Sequence, residues 1–331
     1  MPDTPLPAAA IDLLDLLETP ALLLRNGRII HANGPAIGLF GGHAQGQDVR
    51  LALRHPDVVS LITSGKNGSV RVTGLSTSGS LWEVKCNALS DGQQFLTLTD
   101  LSVQASVARA HADFVANASH ELRTPLAAIL GYVETLKDAK AGDDPTTRNR
   151  FLGIIGKEAQ RMQGLVEDLM SLSRIEALKH QQPTEIVDLI AVARLCMGEV
   201  TEQDRVTLST DVETAPILGD QGQLAQVLRN LVENAFKYGS ADGQIRISLE
   251  QGQTGWISVS VADEGEGIAP EHMPRLTERF YRADAARSRQ AGGTGLGLSI
   301  VKHIVERHRG RFDIVSRVGH GTTATCIFPP A

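Results

Sequence analysis

Four short stretches carry residues whose types and spacing suit phosphoryl chemistry. In the first, His120 and Glu121 are adjacent and Thr124 follows four residues after His120. A neutral imidazole is a competent nucleophile, its free pKa being about 6.5. A neighbouring carboxylate can accept a bond from one ring nitrogen and leave the other free to attack. Thr124 shares a helical face with His120, where its hydroxyl can hold a water against a phosphorylated group. In the second, Asn230 and Asn234 stand one helical turn apart, ahead of Lys237 and Tyr238. Carboxamide oxygens suit a Mg²⁺ that keeps several waters and binds mainly through nucleotide phosphates, with Asn234 the expected ligand and Asn230 a possible second. Lys237 can reach a phosphate as a point charge.

The third stretch, Asp263-Glu264-Gly265-Glu266-Gly267, follows a strand pattern ending at Ala262. A carboxylate there can accept from an adenine amino group, while Gly265 and Gly267 let the backbone approach the base. The fourth, Gly293-Thr294-Gly295-Leu296-Gly297, opens a helix pattern, and exposed N–H groups at a helix start attract phosphate oxygens. No Gly-Lys-Ser/Thr follows, and the spacing misses the dinucleotide fingerprint. Each stretch alone has a plainer reading: a histidine on a solvated face, an asparagine pair on a helix surface, a glycine turn after a strand.

These residues need elements to position them. Over 101–137, Phe114, Ala118, Leu122, Leu126, Ile129, Val133 and Leu136 recur at steps of four and three. Over 147–179, Phe151, Ile155, Met162, Leu165, Leu169, Leu172 and Ile175 do much the same, so each stretch is a helix with one apolar stripe. The breaker-rich Ala141-Gly142-Asp143-Asp144-Pro145 joins them. A two-helix hairpin cannot bury two such stripes alone, so a four-helix bundle formed as a homodimer is expected. Pro125 inside the first helix lacks an N–H and crowds the preceding turn, a site for a bend. After Gln182-Pro183, alternating Ile245, Ile247, Leu249 and Ile257, Val259, Val261 predict two strands, with helices over about 220–238 and 296–308.

The segment Asp113-Phe114-Val115-Ala116-Asn117-Ala118-Ser119-His120-Glu121-Leu122-Arg123-Thr124-Pro125-Leu126 closely resembles the phosphoacceptor box of sensor histidine kinases, especially the phosphate-regulon type. Asn230 to Tyr238 resembles their asparagine box, which is shared with the gyrase and heat-shock chaperone ATPases. The segments 263–268 and 293–298 resemble the two glycine boxes, Glu278-Arg279-Phe280-Tyr281-Arg282 the aromatic box, and Gly319-His320-Gly321-Thr322 the closing turn. All occur in family order. Thr277 stands where phenylalanine is usual, and Arg309-Gly310 replaces a pair of glycines.

The resemblance implies phosphorylation of His120 from ATP with Mg²⁺, assistance by Glu121, and Thr124 serving dephosphorylation of a partner. It implies Asp263 as the adenine reader. It also implies a polar lid from Arg282 to Gly292 whose Arg287 and Arg289 meet the γ-phosphate. The partner implied is the receiver domain of a response regulator, which takes the phosphoryl group onto an aspartate.

Toward the N-terminus, Leu22-Leu23-Leu24, the Asn26-Gly27 turn and Arg28-Ile29-Ile30 predict a hairpin, and Val70–Thr73, Leu81–Cys86 and Phe95–Leu98 predict further strands. The stretch Arg25 to Asn33, and Leu98-Thr99-Asp100-Leu101, resemble the opening and exit of a PAS sensor domain. The expected fold is therefore a multidomain α+β chain. A flexible tail (1–10) precedes a PAS-like α/β sensor (11–100). An antiparallel helical-hairpin dimerisation and phosphotransfer domain follows (101–182). Last comes an α/β-sandwich ATP-binding domain of the gyrase/chaperone/histidine-kinase superfamily (183–331).

A net charge of -6 argues against nucleic acid, and three well-separated cysteines argue against a disulfide framework or zinc site. No apolar run approaches the 18–20 residues or so that span a bilayer. A cytoplasmic location is expected, with any membrane signal arriving through a membrane-associated partner. Two rivals remain: a regulator phosphatase or docking scaffold with little kinase turnover, and an ATPase of the gyrase and chaperone superfamily, which leaves the His120 box unexplained.

Overall fold

A computed structural model describes residues 8–89, 92–138, 144–200, 202–283 and 293–331. The chain divides into two compact units, one up to Val115 and the other from Ala116 onward.

In the first unit, α1 (Ala8–Asp15) opens inside the stretch expected to be a tail. Strands β1 (Ala21–Arg25) and β2 (Arg28–Ala32) form the expected hairpin. Asn26 and Gly27 take φ of 50° and 77°, the pair of positive values a tight two-residue hairpin turn requires. Helices α2 (Gly34–Phe40), α3 (Val49–Ala52) and α4 (Pro56–Ser64) come next, then β3 (Gly68–Thr73), β4 (Leu81–Ala88) and β5 (Gln93–Asp100). The sheet is antiparallel, ordered β2-β1-β5-β4-β3. Its core holds Leu22, Leu24, Ile29, Trp82, Val84, Leu96 and Leu98. Fully buried Asn33 ties the unit together: its carbonyl oxygen accepts from Ala21 N and Ala36 N, and its amide donates to Leu17 O and Thr19 O. A buried carboxamide with its bonds satisfied specifies one arrangement where an apolar residue would allow several.

Helix α5 (Ser102–Lys137) runs from the first unit into the second, with Pro125 within it. Helix α6 (Pro145–Ala177) starts behind an Asp144 cap, with proline at its first position. Glu121 meets Arg161, and the Tyr132 and Phe151 rings lie 5.1 Å apart, so the two helices run antiparallel. Part of their apolar face stays open, with Leu126, Leu130, Leu152, Val166 and Met170 all exposed. The C-terminal end of α6 buries Leu172 and Ile175.

Next come β6 (Ile186–Asp188), α7 (Leu189–Glu199), β7 (Val206–Thr210), β8 (Pro216–Leu218), α8 (Gln221–Tyr238), β9 (Ile245–Gln251), β10 (Ile257–Asp263), α9 (Gly297–Arg307), β11 (Arg311–Ser316) and β12 (Thr322–Phe328). The larger sheet is ordered β11-β12-β10-β9-β7, with β7 parallel to β9 and the other pairs antiparallel. Helices α7, α8 and α9 pack on it. The alternating Ile245/Ile247/Leu249 and Ile257/Val259/Val261 point inward, as their period of two requires. Behind α9, His308 is buried: Nδ1–H donates to Ile304 O, and Nε2 accepts from Asp220 N at 3.0 Å. Arg309, one of the departures from the family pattern, takes φ 54°, a left-handed position that glycine adopts more cheaply.

Candidate active site

The ends of α8 and β10 and the start of α9 enclose a cavity of about 720 Å³, within the range of small-molecule sites. Asn230, Asn234, Lys237, Tyr238, Asp263, Gly267, Gly293, Thr294, Gly295 and Gly297 all line it. The two remaining glycine-box residues act from behind: Gly265 N–H donates to Asp263 Oδ1 at 2.8 Å, and buried Leu296 donates its N–H to Thr294 Oγ1. Burial pushes the Asp263 carboxyl above the ordinary carboxylate range, against the opposing N–H bonds from Gly265 and Thr322.

Two glycines show why the sequence needs them here. Gly267 takes φ +70°, and a Cβ there would collide with the Arg317 carbonyl. Gly295 takes φ +74°, and a Cβ would lie 2.9 Å from the Phe280 backbone, whose N–H bonds Gly295 O. Asn230 Nδ2 donates to Gly297 O at 3.3 Å and so holds the start of α9 against α8. Lys237 is paired with Glu233 one turn back at 3.1 Å. A half-buried acceptor, a glycine cradle and a helix start around one cavity fit a nucleotide.

His120 and Thr124 are exposed on α5, and the Thr124 hydroxyl donates to His120 O at 3.2 Å. The expected pairing of Glu121 with the imidazole is not what the structure holds. Glu121 Oε2 instead accepts from Arg161 Nη2 at 3.2 Å and Arg282 Nη2 at 2.8 Å, since charge-assisted bonds to guanidinium outcompete one to an imidazole. Arg282 also lines the cavity. The phosphoacceptor box and the nucleotide cavity are thus in contact through this side chain. Arg287 and Arg289, expected in the lid, lie outside the described residues.

Sequence reasoning missed the α6 side of the cavity. Asp168 Oδ2 accepts from Thr294 Oγ1 at 2.7 Å, and burial pushes this carboxyl upward too. Arg279 pairs with Glu176, and Ser171 Oγ donates to Gln226. For Asp168 a signal existed. It lies three residues after Leu165 and four before Leu172, in phase with the apolar stripe, where a carboxylate calls for a partner.

The family profile "His Kinase A (phospho-acceptor) domain" matches residues 110–178, and "Histidine kinase-, DNA gyrase B-, and HSP90-like ATPase" matches 219–331. The "Sensor-like histidine kinase SenX3" of Mycobacterium tuberculosis is 35% identical over 291 residues, covering 85% of this chain and 68% of that protein. The chain belongs to the sensor histidine kinases. The "Phosphate regulon sensor protein PhoR" of Pseudomonas aeruginosa is 44% identical over 223 residues, 66% of this chain and 50% of that one. The sensor kinase described here thus matches about half the length of that relative and two thirds of SenX3. Among solved structures, histidine kinase ThkA in complex with response regulator protein TrrA shares the fold: TM-score 0.54 and 22% identity, over 97% of this chain and 98% of that one. The Acinetobacter baumannii histidine kinase AdeS gives TM-score 0.50 and 26% identity, over 63% of this chain and 96% of that one. Among the described residues, no helix is long and apolar enough to cross a membrane.

Proposed function

We propose that this sensor kinase transfers the γ-phosphoryl group of ATP to His120 and from there to an aspartate of a response-regulator receiver domain. The observation that carries the reading is Arg282, which lines the nucleotide cavity and bonds the residue next to His120. In the reaction a ring nitrogen of His120 forms the N–P bond as the β–γ bridging P–O bond breaks, releasing ADP. Asp263 accepts from the adenine amino group, and Gly265 and Gly267 admit the base. Gly293 to Gly297 and the start of α9 face the phosphates, with Lys237 and Tyr238 beside them; a γ-phosphate role for Arg287 and Arg289 rests on the family resemblance alone. Asn234, with Asn230 beside it, would hold Mg²⁺, which supplies charge neutralisation on the phosphates when bound.

The domains are assigned as 11–100 PAS-like sensor, 101–182 dimerisation and phosphotransfer, and 183–331 ATP-binding. Support for the first is an antiparallel sheet with its helices inserted between β2 and β3. Support for a homodimer is the exposed Leu126, Leu130, Leu152 and Met170 on the hairpin. The ThkA complex contains a response regulator, and the bundle face around His120 is open to such a partner. We place the kinase in the cytoplasm, receiving any membrane signal through a membrane-associated partner. The test is incubation with γ-labelled ATP and Mg²⁺ beside His120→Ala. Acid-labile, base-stable label confined to the wild type is expected; equal labelling of both proteins would refute it.

A second activity, dephosphorylation of the regulator, is favoured by the exposed Thr124, whose hydroxyl lies one turn from His120 on the same helix. Thr124→Ala is expected to slow loss of phosphate from the purified phosphorylated regulator at least tenfold. An unchanged rate would remove this activity from Thr124.

A further inference from the structure

Arg205 belongs to no motif and lies outside the nucleotide cavity, yet its guanidinium is committed at three places. Nη2 donates to Ser240 O at 2.8 Å, Nε donates to Gly243 O at 3.2 Å, and the group lies 5.0 Å over the Phe236 ring. Its remaining partner, Glu202, is exposed and three residues away. The two carbonyls belong to the loop between α8 and β9, and Phe236 stands between Asn234 and Lys237.

That loop is the seat of the adenine-reading segment. A Cβ built on Gly239 would lie 3.4 Å from Asp263 Cβ, and one built on Gly243 would lie 3.4 Å from Glu264 Cβ. A Cβ on Gly265 would fall 2.9 Å from Gly239 Cα and collide with Tyr238 O, so the two backbones touch with no room between them. Gln244 N–H donates to Glu264 Oε2 at 3.4 Å. A shift of the loop is therefore passed directly to Asp263.

We propose that Arg205 is a positioning residue for base selection: by bridging the Ser240 and Gly243 carbonyls it fixes the loop against which the Asp263 carboxylate is aimed. The planar fork of a guanidinium spans two carbonyls at once and stacks on an aromatic ring; a lysine ammonium serves one as a point charge. The inference rests on the reading of Asp263 as the adenine acceptor, and the controls separate the two.

The test is calorimetric titration of the full chain with ADP and with GDP in Mg²⁺, read as the ratio of affinities. Arg205→Ala is expected to lower the preference for ADP about tenfold, mainly by weakening ADP, as loss of one well-aimed hydrogen bond would. Arg205→Lys is expected to fall between, and Glu202→Gln, which touches only the exposed partner, to match the wild type. A wild-type ratio in Arg205→Ala overturns the inference even if the melting temperature drops, since a purely structural role does not choose between bases. Should Arg205→Ala fail to fold, a wild-type ratio in Arg205→Lys overturns it. Asp263→Asn must also lose the preference: if it keeps it, the adenine reading itself fails. If Asp263→Asn loses the preference and Arg205→Ala does not, only the role of Arg205 fails.

Discussion

Asp263, Gly267 and Gly295 on one side of the candidate active site, and His120, Glu121 and Thr124 on the other, meet their surroundings in opposite ways. The nucleotide side is set by backbone: two glycines at positive φ press against neighbouring main chain, and the carboxylate is fixed by an adjacent N–H. The phosphoacceptor side is a helix surface whose reactive residues are exposed or tied up by movable side chains. One half is held by main-chain contacts. The other is held by side-chain ion pairs, which can exchange partners more readily than main chain can.

The largest effect expected from this contrast is at Gly267. Ala there requires an unfavourable φ and a collision with a carbonyl, so Gly267→Ala is expected to weaken ADP binding a hundredfold or more, about 3 kcal/mol. Calorimetry checks this, and Thr124→Ala, a change of similar size on the bundle face, is expected to leave ADP affinity within about twofold. Comparable losses in both would erase the distinction between the halves.

Next in size is the release of Glu121. Arg161→Gln removes one of its two cations, at a site part-open to solvent. The single-turnover rate of His120 labelling is expected to rise about fivefold, roughly 1 kcal/mol, at unchanged ATP affinity. A fall in rate would show that Arg161 assists transfer rather than restraining it.

How far these features were legible in the sequence follows the same divide. The hairpin at Asn26-Gly27, the two long helices and the glycine boxes were legible, because turn chemistry, helical period and backbone conformation are local properties. The partners of Glu121 were not, since Arg161 and Arg282 lie 40 and 161 residues away. Nothing local distinguishes them from surface arginines. The short strands β6 and β8, three residues each, offer too few positions for alternation to show. Asp168, a carboxylate in phase with the apolar stripe, was readable, but only as a residue in need of a partner.

Two smaller predictions concern the packing behind the nucleotide side. Burial holds His308 below its ordinary value of 6.5, disfavouring the imidazolium in the folded chain. The unfolded chain takes up a proton as pH falls through about 6.5, the folded one only at lower pH. Stability is thus full above that pH and declines as pH falls below it. Denaturant titrations between pH 5 and 8, a range of about three units around the free histidine value, should show this decline. The slope should flatten in His308→Gln, and an equal slope in both would contradict it. Smallest is Arg309→Gly, which relieves a left-handed arginine and should stabilise the fold by about 0.5–1 kcal/mol in the same titrations. A loss of stability would mean that Arg309 makes compensating contacts.

The nucleotide half and the exposed helix half are expected to act on one phosphoryl group. Tandem mass spectrometry of the ATP-treated chain, under alkaline conditions that preserve phosphoramidate, tests it most directly. A single phosphorylated residue, His120, is expected, and it is lost together with nucleotide binding in Gly267→Ala. Phosphate on any other residue, or phosphate on His120 that persists in Gly267→Ala, would contradict it.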